Sequence, residues 1–362
     1  MIRPNPNVAA MSPYALPDIS AADGLQAIVL AQNEHAYPPS AKVQAAITAA
    51  LVRGHLYPDS DCSELRGAIA TVHKLHADNI VCGSGSMELM SGLMLAYLSA
   101  GDRLLMSEYG YLFMRTLAKL VGAQVDMAAE QNYRVDVDAL LDKLEPDTRL
   151  VFVVNPGNPC GSLIHNDEIR RLRASMPDDV LLLVDEAYAE FTDAGFHEPI
   201  FDLVDQGNTV ITRTFSKIYG LAGLRVGWGY FADDLRDQVR KVLNPGSVSL
   251  LSQVAARAAM EDRENVRQAN RLVAEQRGYL SAEISNLGLA VVPSQTNFIL
   301  VDFVKPEAAA SAFEFLRKHG LVVRPMGGYG LPACLRITIG TGEQMQMTAR
   351  TLADWRRTRA QL

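Results

Sequence analysis

Thr214-Phe215-Ser216-Lys217-Ile218-Tyr219-Gly220-Leu221-Ala222-Gly223-Leu224-Arg225-Val226-Gly227 sets a lysine beside small hydroxyl residues on a glycine-punctuated loop, eight residues before an arginine. Lysine is the side chain that forms Schiff bases with carbonyls. Arginine presents a planar fork that matches a phosphate. An amine, hydroxyls and a guanidinium so spaced suit one small molecule carrying both an aldehyde and a phosphate, as pyridoxal phosphate does. Apolar segments flank the loop, Thr209 to Thr212 before it and Val226 to Phe231 after it. Both read as strands.

Upstream, the runs Leu150 to Val154 and Val180 to Val184 are continuously apolar. A strand of that kind is buried on both faces, as in a parallel sheet. Further strands are expected at Ile80 to Cys82 and Arg103 to Met106. Helices are expected from Ser40, as N-cap, to about Arg53, over Ser86 to Leu98 and over Phe113 to Val121. This alternation predicts an α/β fold whose large domain, residues 31–245, holds a mostly parallel, doubly wound sheet. Near Asn244-Pro245-Gly246 the pattern changes. A helical region over about 250–287 leads to a small α/β domain, residues 246–362, reading strand (297–302), helix (308–319), strands (321–324 and 335–339). The Pro-rich segment 1–30 is expected to associate with that small domain.

Composition narrows the class. The chain has 362 residues, 48% apolar and 21% charged, with 34 Lys+Arg against 41 Asp+Glu and a net charge of −7. No basic block is present, which argues against nucleic acid as a partner. Cys62, Cys82, Cys160 and Cys334 form no C-x-x-C pair, and a reducing cytoplasm is the expected location. The N-terminus lacks a secretory signal pattern, and the apolar run Leu89 to Leu98 is too short to span a bilayer, so no membrane partner is expected. His73-x-x-His76 has metal-ligand spacing on a helix but no supporting ligand nearby. It reads as a solvated face, and no metal is assigned.

The chemistry-bearing residues fall at the ends of these strands. Gly83-Ser84-Gly85-Ser86-Met87-Glu88 joins a strand to a helix, as a phosphate-binding turn or as a plain connection. With Glu108 downstream it also admits a nicotinamide-nucleotide reading, but Glu88 stands where that fingerprint has its third glycine. Asp185 ends an apolar strand, where an unpaired carboxylate is costly. A pyridinium nitrogen would pair it and keep a cofactor ring protonated. Tyr188 comes three residues later. The Asn155-Pro156-Gly157-Asn158-Pro159-Cys160-Gly161 loop lies at the same expected sheet edge, where an asparagine amide can donate to a ring oxygen. Arg324 and Arg336 stand in apolar strand contexts and suit an acidic substrate group.

The segments 155–161, 185–188, 214–217 and 223–227 come in the order seen in fold-type I pyridoxal-phosphate aminotransferases, and the chain resembles that family from about residue 30 to its end. Asn33-Glu34, Pro39-Ser40, Leu56-Tyr57-Pro58-Asp59, Leu65-Arg66, Arg324-Pro325, Gly328-Tyr329-Gly330-Leu331-Pro332 and Leu335 to Gly340 make it most similar to the histidinol-phosphate aminotransferases. The resemblance implies that Lys217 forms a Schiff base with the cofactor and that Asp185 pairs with its ring nitrogen. It further implies that Asn158 and Tyr188 bind the ring oxygen, that Tyr109 stacks on the ring, and that Gly85, Ser86, Met87, Thr214, Ser216 and Arg225 hold the phosphate. Tyr57 would reach that phosphate across a homodimer interface. Arg336, Arg324 and Tyr14 would hold the substrate's acidic end.

The implied reaction is a ping-pong transfer from L-histidinol phosphate to 2-oxoglutarate, giving imidazole acetol phosphate and L-glutamate, a step of histidine biosynthesis. Aromatic amino acid transamination and phosphoamino-acid decarboxylation are the alternatives on the same cofactor site. Three positions depart from the family pattern: His35-Ala36 replaces Asn-Pro after the Asn-Glu pair, and Cys160 replaces a threonine.

Overall fold

The computed structural model describes residues 2–12, 18–22, 24–193 and 199–360. Its centre is a seven-stranded sheet in the order Ile80–Gly83, Gly227–Phe231, Thr209–Thr214, Leu181–Asp185, Thr148–Val154, Arg103–Ser107, Gln124–Ala128. Every strand runs parallel to the others except Gly227–Phe231, which is antiparallel to both neighbours. The lysine-bearing loop accounts for the exception. Residues 215–226 contain only the short turn Ala222–Leu224 and no crossover helix, and a parallel return needs one.

The two-residue period of the strands divides the core. Leu182, Val184, Val151, Val153 and Ile211 join one apolar cluster. Leu181, Leu183, Leu150, Phe152 and Val210 join the other, on the opposite face. Each such side chain, fully buried, contributes about 1.5–3 kcal/mol. Helices cover both faces. On one of them Ser86–Tyr97 buries Leu89, Met90, Leu93 and Met94.

A second sheet, antiparallel throughout, has the order Ala290–Val292, Phe298–Asp302, Cys334–Thr338, Arg324–Pro325. Ala290–Val292 is a strand the sequence pattern did not signal. The expected strand 321–324 divides: Leu321–Val322 pairs in parallel with Ile28–Val29, while Arg324–Pro325 joins the second sheet.

The expected helix over 250–287 is two helices, Leu250–Glu261 and Arg263–Asn286. Asp262 breaks it, with φ −86° and ψ 62°, and its carboxylate accepts from Lys42 Nζ at 2.9 Å. A short polar side chain with an outside partner favours such a junction over helix interior. Ser40 caps its helix as expected, its hydroxyl accepting from Val43 N–H. The solvated reading of His73 is overturned. His73 is the last residue of Ser63–His73, and its ring lies 5.2 Å from that of Trp228 and 5.9 Å from that of Phe201. His76 lies beyond the helix end, so the two histidines do not share a helical face.

Candidate active site

At the carboxyl ends of the central strands a cavity of about 410 Å³ is lined by Lys217, Asp185, Tyr188, Asn158, Ser86, Met87, Thr214, Ser216, Arg225, Arg324 and Arg336. Residues far apart in sequence meet there because most of them stand just beyond a strand of one sheet. Open α/β sheets bind ligands at this edge.

One end of the cavity is an anion cradle. Gly85, at φ +80°, precedes the helix Ser86–Tyr97, whose N-terminus carries partial positive charge. A Cβ on Gly85 would stand 2.5 Å from Arg225 Nη2, so only glycine lets the guanidinium lie against the turn. Gly227 is equally constrained, since a Cβ there would strike the Ser86 backbone. Arg225 holds φ 50° and donates through Nη1 to Ala222 O at 3.0 Å and Ser216 Oγ at 3.4 Å. Thr214 Oγ1 accepts from Ser216 N–H at 3.0 Å. Glu88 explains the incomplete nucleotide fingerprint: its Oε2 accepts from Ser84 N–H at 2.5 Å and from Ser247 Oγ at 2.6 Å. Glu108, the acidic partner that reading needed, accepts instead from Glu130 N–H at 2.9 Å.

Deeper in, Asp185 is 5% exposed and accepts from Thr212 Oγ1 at 3.1 Å. Burial raises its pKa to about 7, against the opposing pull of that hydroxyl, the Ala187 backbone and Lys217. Tyr188 is buried edge-on against Phe298, and its hydroxyl accepts from Asn33 Nδ2 at 3.0 Å. Desolvation raises its pKa to about 12. Asn158 Oδ1 accepts from Arg336 Nη1 at 2.6 Å, which leaves its amide nitrogen as the group able to donate elsewhere.

Lys217 Nζ donates to the carbonyls of Asn33 at 3.1 Å and Gln32 at 3.3 Å. Desolvation first, then the guanidiniums of Arg336 and Arg225, lower its pKa to about 8, while Glu34 and Asp185 work the other way. A lysine so tuned supplies a neutral, nucleophilic amine near neutral pH. Arg336 is 5% exposed, fixed by Asn158, by Ala31 O at 2.9 Å and by the Phe298 face at 5.1 Å. Arg324 is its cross-strand neighbour.

Two expected residues line other pockets. Tyr109 lines a small adjoining pocket that shares Asn158, and Tyr111 lines the main cavity. Tyr57 is 99% exposed and lies on a separate pocket with Leu56 and Arg257. Tyr14 lies outside the described residues. The sequence reading gave no role to Asn33, which fixes both Tyr188 and Lys217. It is buried at φ 55°, a left-handed conformation in which asparagine is enriched, so an Asn in a short loop was the available signal. Tyr329, also on the cavity wall, lies in a glycine-rich turn that propensity alone does not assign to a site. No group of three or more His, Cys, Asp or Glu residues placed to hold a metal occurs among the described residues.

The family model described as Aminotransferase class I and II matches residues 26–352. A histidinol-phosphate aminotransferase of Granulibacter bethesdensis is 41% identical over 351 residues, covering 97% of this chain and 95% of that protein. One from Maricaulis maris is 41% identical over 344 residues, covering 94% and 95%. The crystal structure of histidinol-phosphate aminotransferase from Sinorhizobium meliloti in complex with pyridoxal-5'-phosphate superposes with a TM-score of 0.91 at 27% identity, covering 99% of this chain and 98% of that one. With the Lys217 and Asp185 cavity lying inside the matched span, this chain belongs to the class I and II aminotransferases.

Proposed function

We propose that the chain is a pyridoxal-phosphate-dependent aminotransferase that converts L-histidinol phosphate and 2-oxoglutarate to imidazole acetol phosphate and L-glutamate. The observation that carries this reading is the convergence of Lys217, Asp185 and the Gly85–Arg225 cradle on one cavity. The fit to the cofactor is specific at both ends. Asp185 is a buried carboxylate with no hydrogen-bonded cation among the described residues, and the cradle offers a phosphate a guanidinium, hydroxyls and a helix N-terminus. The relatives named above support the substrate, and their names match it.

Bound there, pyridoxal phosphate supplies an exchangeable imine carbon and a ring that accepts electron density. Asp185 would hold the ring nitrogen and keep its negative charge there. Asn158 and Tyr188 would orient the ring oxygen, and Tyr109, from the adjoining pocket, would stack on the ring. Thr214, Ser216, Arg225, Gly85, Ser86 and Met87 would hold the phosphate. With the cofactor held there, the Lys217 amine would be the base placed to take the proton from substrate Cα and to give it back. Arg336 and Arg324 orient the anionic end of each substrate, the first already locked by Asn158 and Ala31.

The proposal extends to a homodimer in which Tyr57 reaches the other chain's cofactor phosphate. Its full exposure beside exposed Leu51, Val52 and Leu56 supports this. It extends also to a division into 31–245 and 246–362, with 1–30 on the latter, supported by the separate seven-stranded and four-stranded sheets and by the pairing of Ile28–Val29 with Leu321–Val322. The four cysteines are free thiols, which accords with a cytoplasmic location. Among the described residues no helix is long and apolar enough to cross a membrane.

Borohydride reduction followed by digestion and mass spectrometry tests the cofactor link: the label belongs on the Lys217 peptide, and a label elsewhere refutes it. A donor panel with 2-oxoglutarate tests the substrate. Histidinol phosphate should exceed phenylalanine by roughly tenfold or more in kcat/KM, and parity would assign the chain to aromatic donors.

A further inference from the structure

A short hairpin borders the pocket that adjoins the cofactor cavity. Its strands, Glu130–Gln131 and Arg134–Val135, pair antiparallel, Glu130 with Val135 and Gln131 with Arg134, so Asn132 and Tyr133 form the loop. Both loop residues have positive φ, 53° and 63°. Two-residue hairpin loops of that kind favour asparagine followed by glycine. Asparagine tolerates the left-handed region, whereas a bulky tyrosine is strained in it. Such strain persists where the surroundings over-determine it. Around Tyr133 they do. Its hydroxyl donates to Asp302 Oδ2 at 2.6 Å, on the second sheet. Asp302 is itself fixed, its Oδ1 accepting from Val304 N–H at 2.7 Å. The Tyr133 carbonyl accepts from Ser162 Oγ at 2.6 Å, just beyond the 155–161 loop. The Tyr133 ring lies 6.3 Å from that of Tyr109, inclined at 37°, within the range of a favourable aromatic pair. Tyr109 needs such a neighbour. It is half-buried on the turn that follows Arg103–Ser107, and turns hold side chains less firmly than strands do.

We propose that Tyr133 is a positioning residue that braces Tyr109 against the second sheet through Asp302 and so fixes the face Tyr109 offers to the cofactor ring. This rests on the cofactor reading given above and adds the residue that sets its geometry. The strained turn is the cost of placing an aromatic ring where glycine would fit the backbone better. A reacting group misplaced by about 1 Å loses up to roughly 100-fold in rate, so a brace outside the cavity acts on the chemistry without touching it.

Single-turnover reaction of cofactor-loaded protein with the best amino donor of the panel, followed by cofactor absorbance, tests the brace. Tyr133→Gly suits the turn and should fold and take the borohydride label at Lys217, yet react roughly 10- to 100-fold more slowly. Tyr133→Phe keeps the ring and loses the Asp302 hydrogen bond, so its loss should be smaller. A purely structural role would add its effect to any other; a brace would not. In a Tyr109→Leu background, Tyr133→Gly should therefore slow the reaction by about twofold or less. The proposal fails if Tyr133→Gly reacts as the wild type does, or if its loss is undiminished in the Tyr109→Leu background. Wild type that takes no label at Lys217 would instead refute the cofactor reading, and this inference with it.

Discussion

Asp185 and Glu186 are chain neighbours at the end of one buried strand, and folding leaves them in opposite electrical situations. The pleat sends them to opposite faces of the sheet. Glu186, fully buried, accepts from Arg213 Nε at 2.9 Å and Nη2 at 2.6 Å, and the same guanidinium lies over the rings of Phe201 and Trp228. Asp185 receives a threonine hydroxyl and only distant attraction from Lys217, and its pKa climbs to about 7. Where the fold brings its own cation, a buried carboxylate serves structure. Where the fold leaves the cation out, the carboxylate is kept for a ligand that supplies one.

Three experiments press on that contrast. The largest effect is expected from Arg213→Ala, which strands Glu186 as an uncompensated buried charge. Urea denaturation should show a loss of about 3–5 kcal/mol. A loss below about 1 kcal/mol would erase the distinction between the two carboxylates. Asp185→Asn, an isosteric change, should leave the apoprotein folded yet lower kcat by roughly 100- to 1,000-fold, the scale on which one electrostatic partner of a reacting group acts. Steady-state kinetics with saturating cofactor reads this directly.

The smallest effect concerns pH. Asp185 has its folded pKa raised from 3.8 to about 7. Between those values the folded apoprotein holds a proton that the unfolded chain has released. Asp185 therefore favours folding below about pH 4, and that contribution is lost as pH rises through 7. Melting temperatures of apoprotein and Asp185→Asn should diverge over that window, the variant gaining on the wild type as pH rises. Parallel curves would place a cation on Asp185 already.

Much of the central sheet was legible because its strands are unbroken apolar runs and its helices carry caps. The cavity was legible in the same measure. Lys217, Asp185, Arg225, Asn158 and Tyr188 all lie at or close to strand ends, and a parallel sheet gathers the residues beyond its carboxyl ends along one edge. The break at Asp262 was not legible, because it rests on an ion pair with a lysine 220 residues away. Nor was the packing of His73, since a helix end says nothing of the tryptophan that will lie against it.

The sequence by itself determined which side chains reach the carboxyl edge of the sheet, since strand period and loop placement are local properties of the chain. Only the tertiary structure decided which of them keep an unmet charge. Desolvation and pairing depend on every group packed within a few ångströms. That is why Asn33 came to hold both Tyr188 and Lys217, and why Glu186 found an arginine while Asp185 did not.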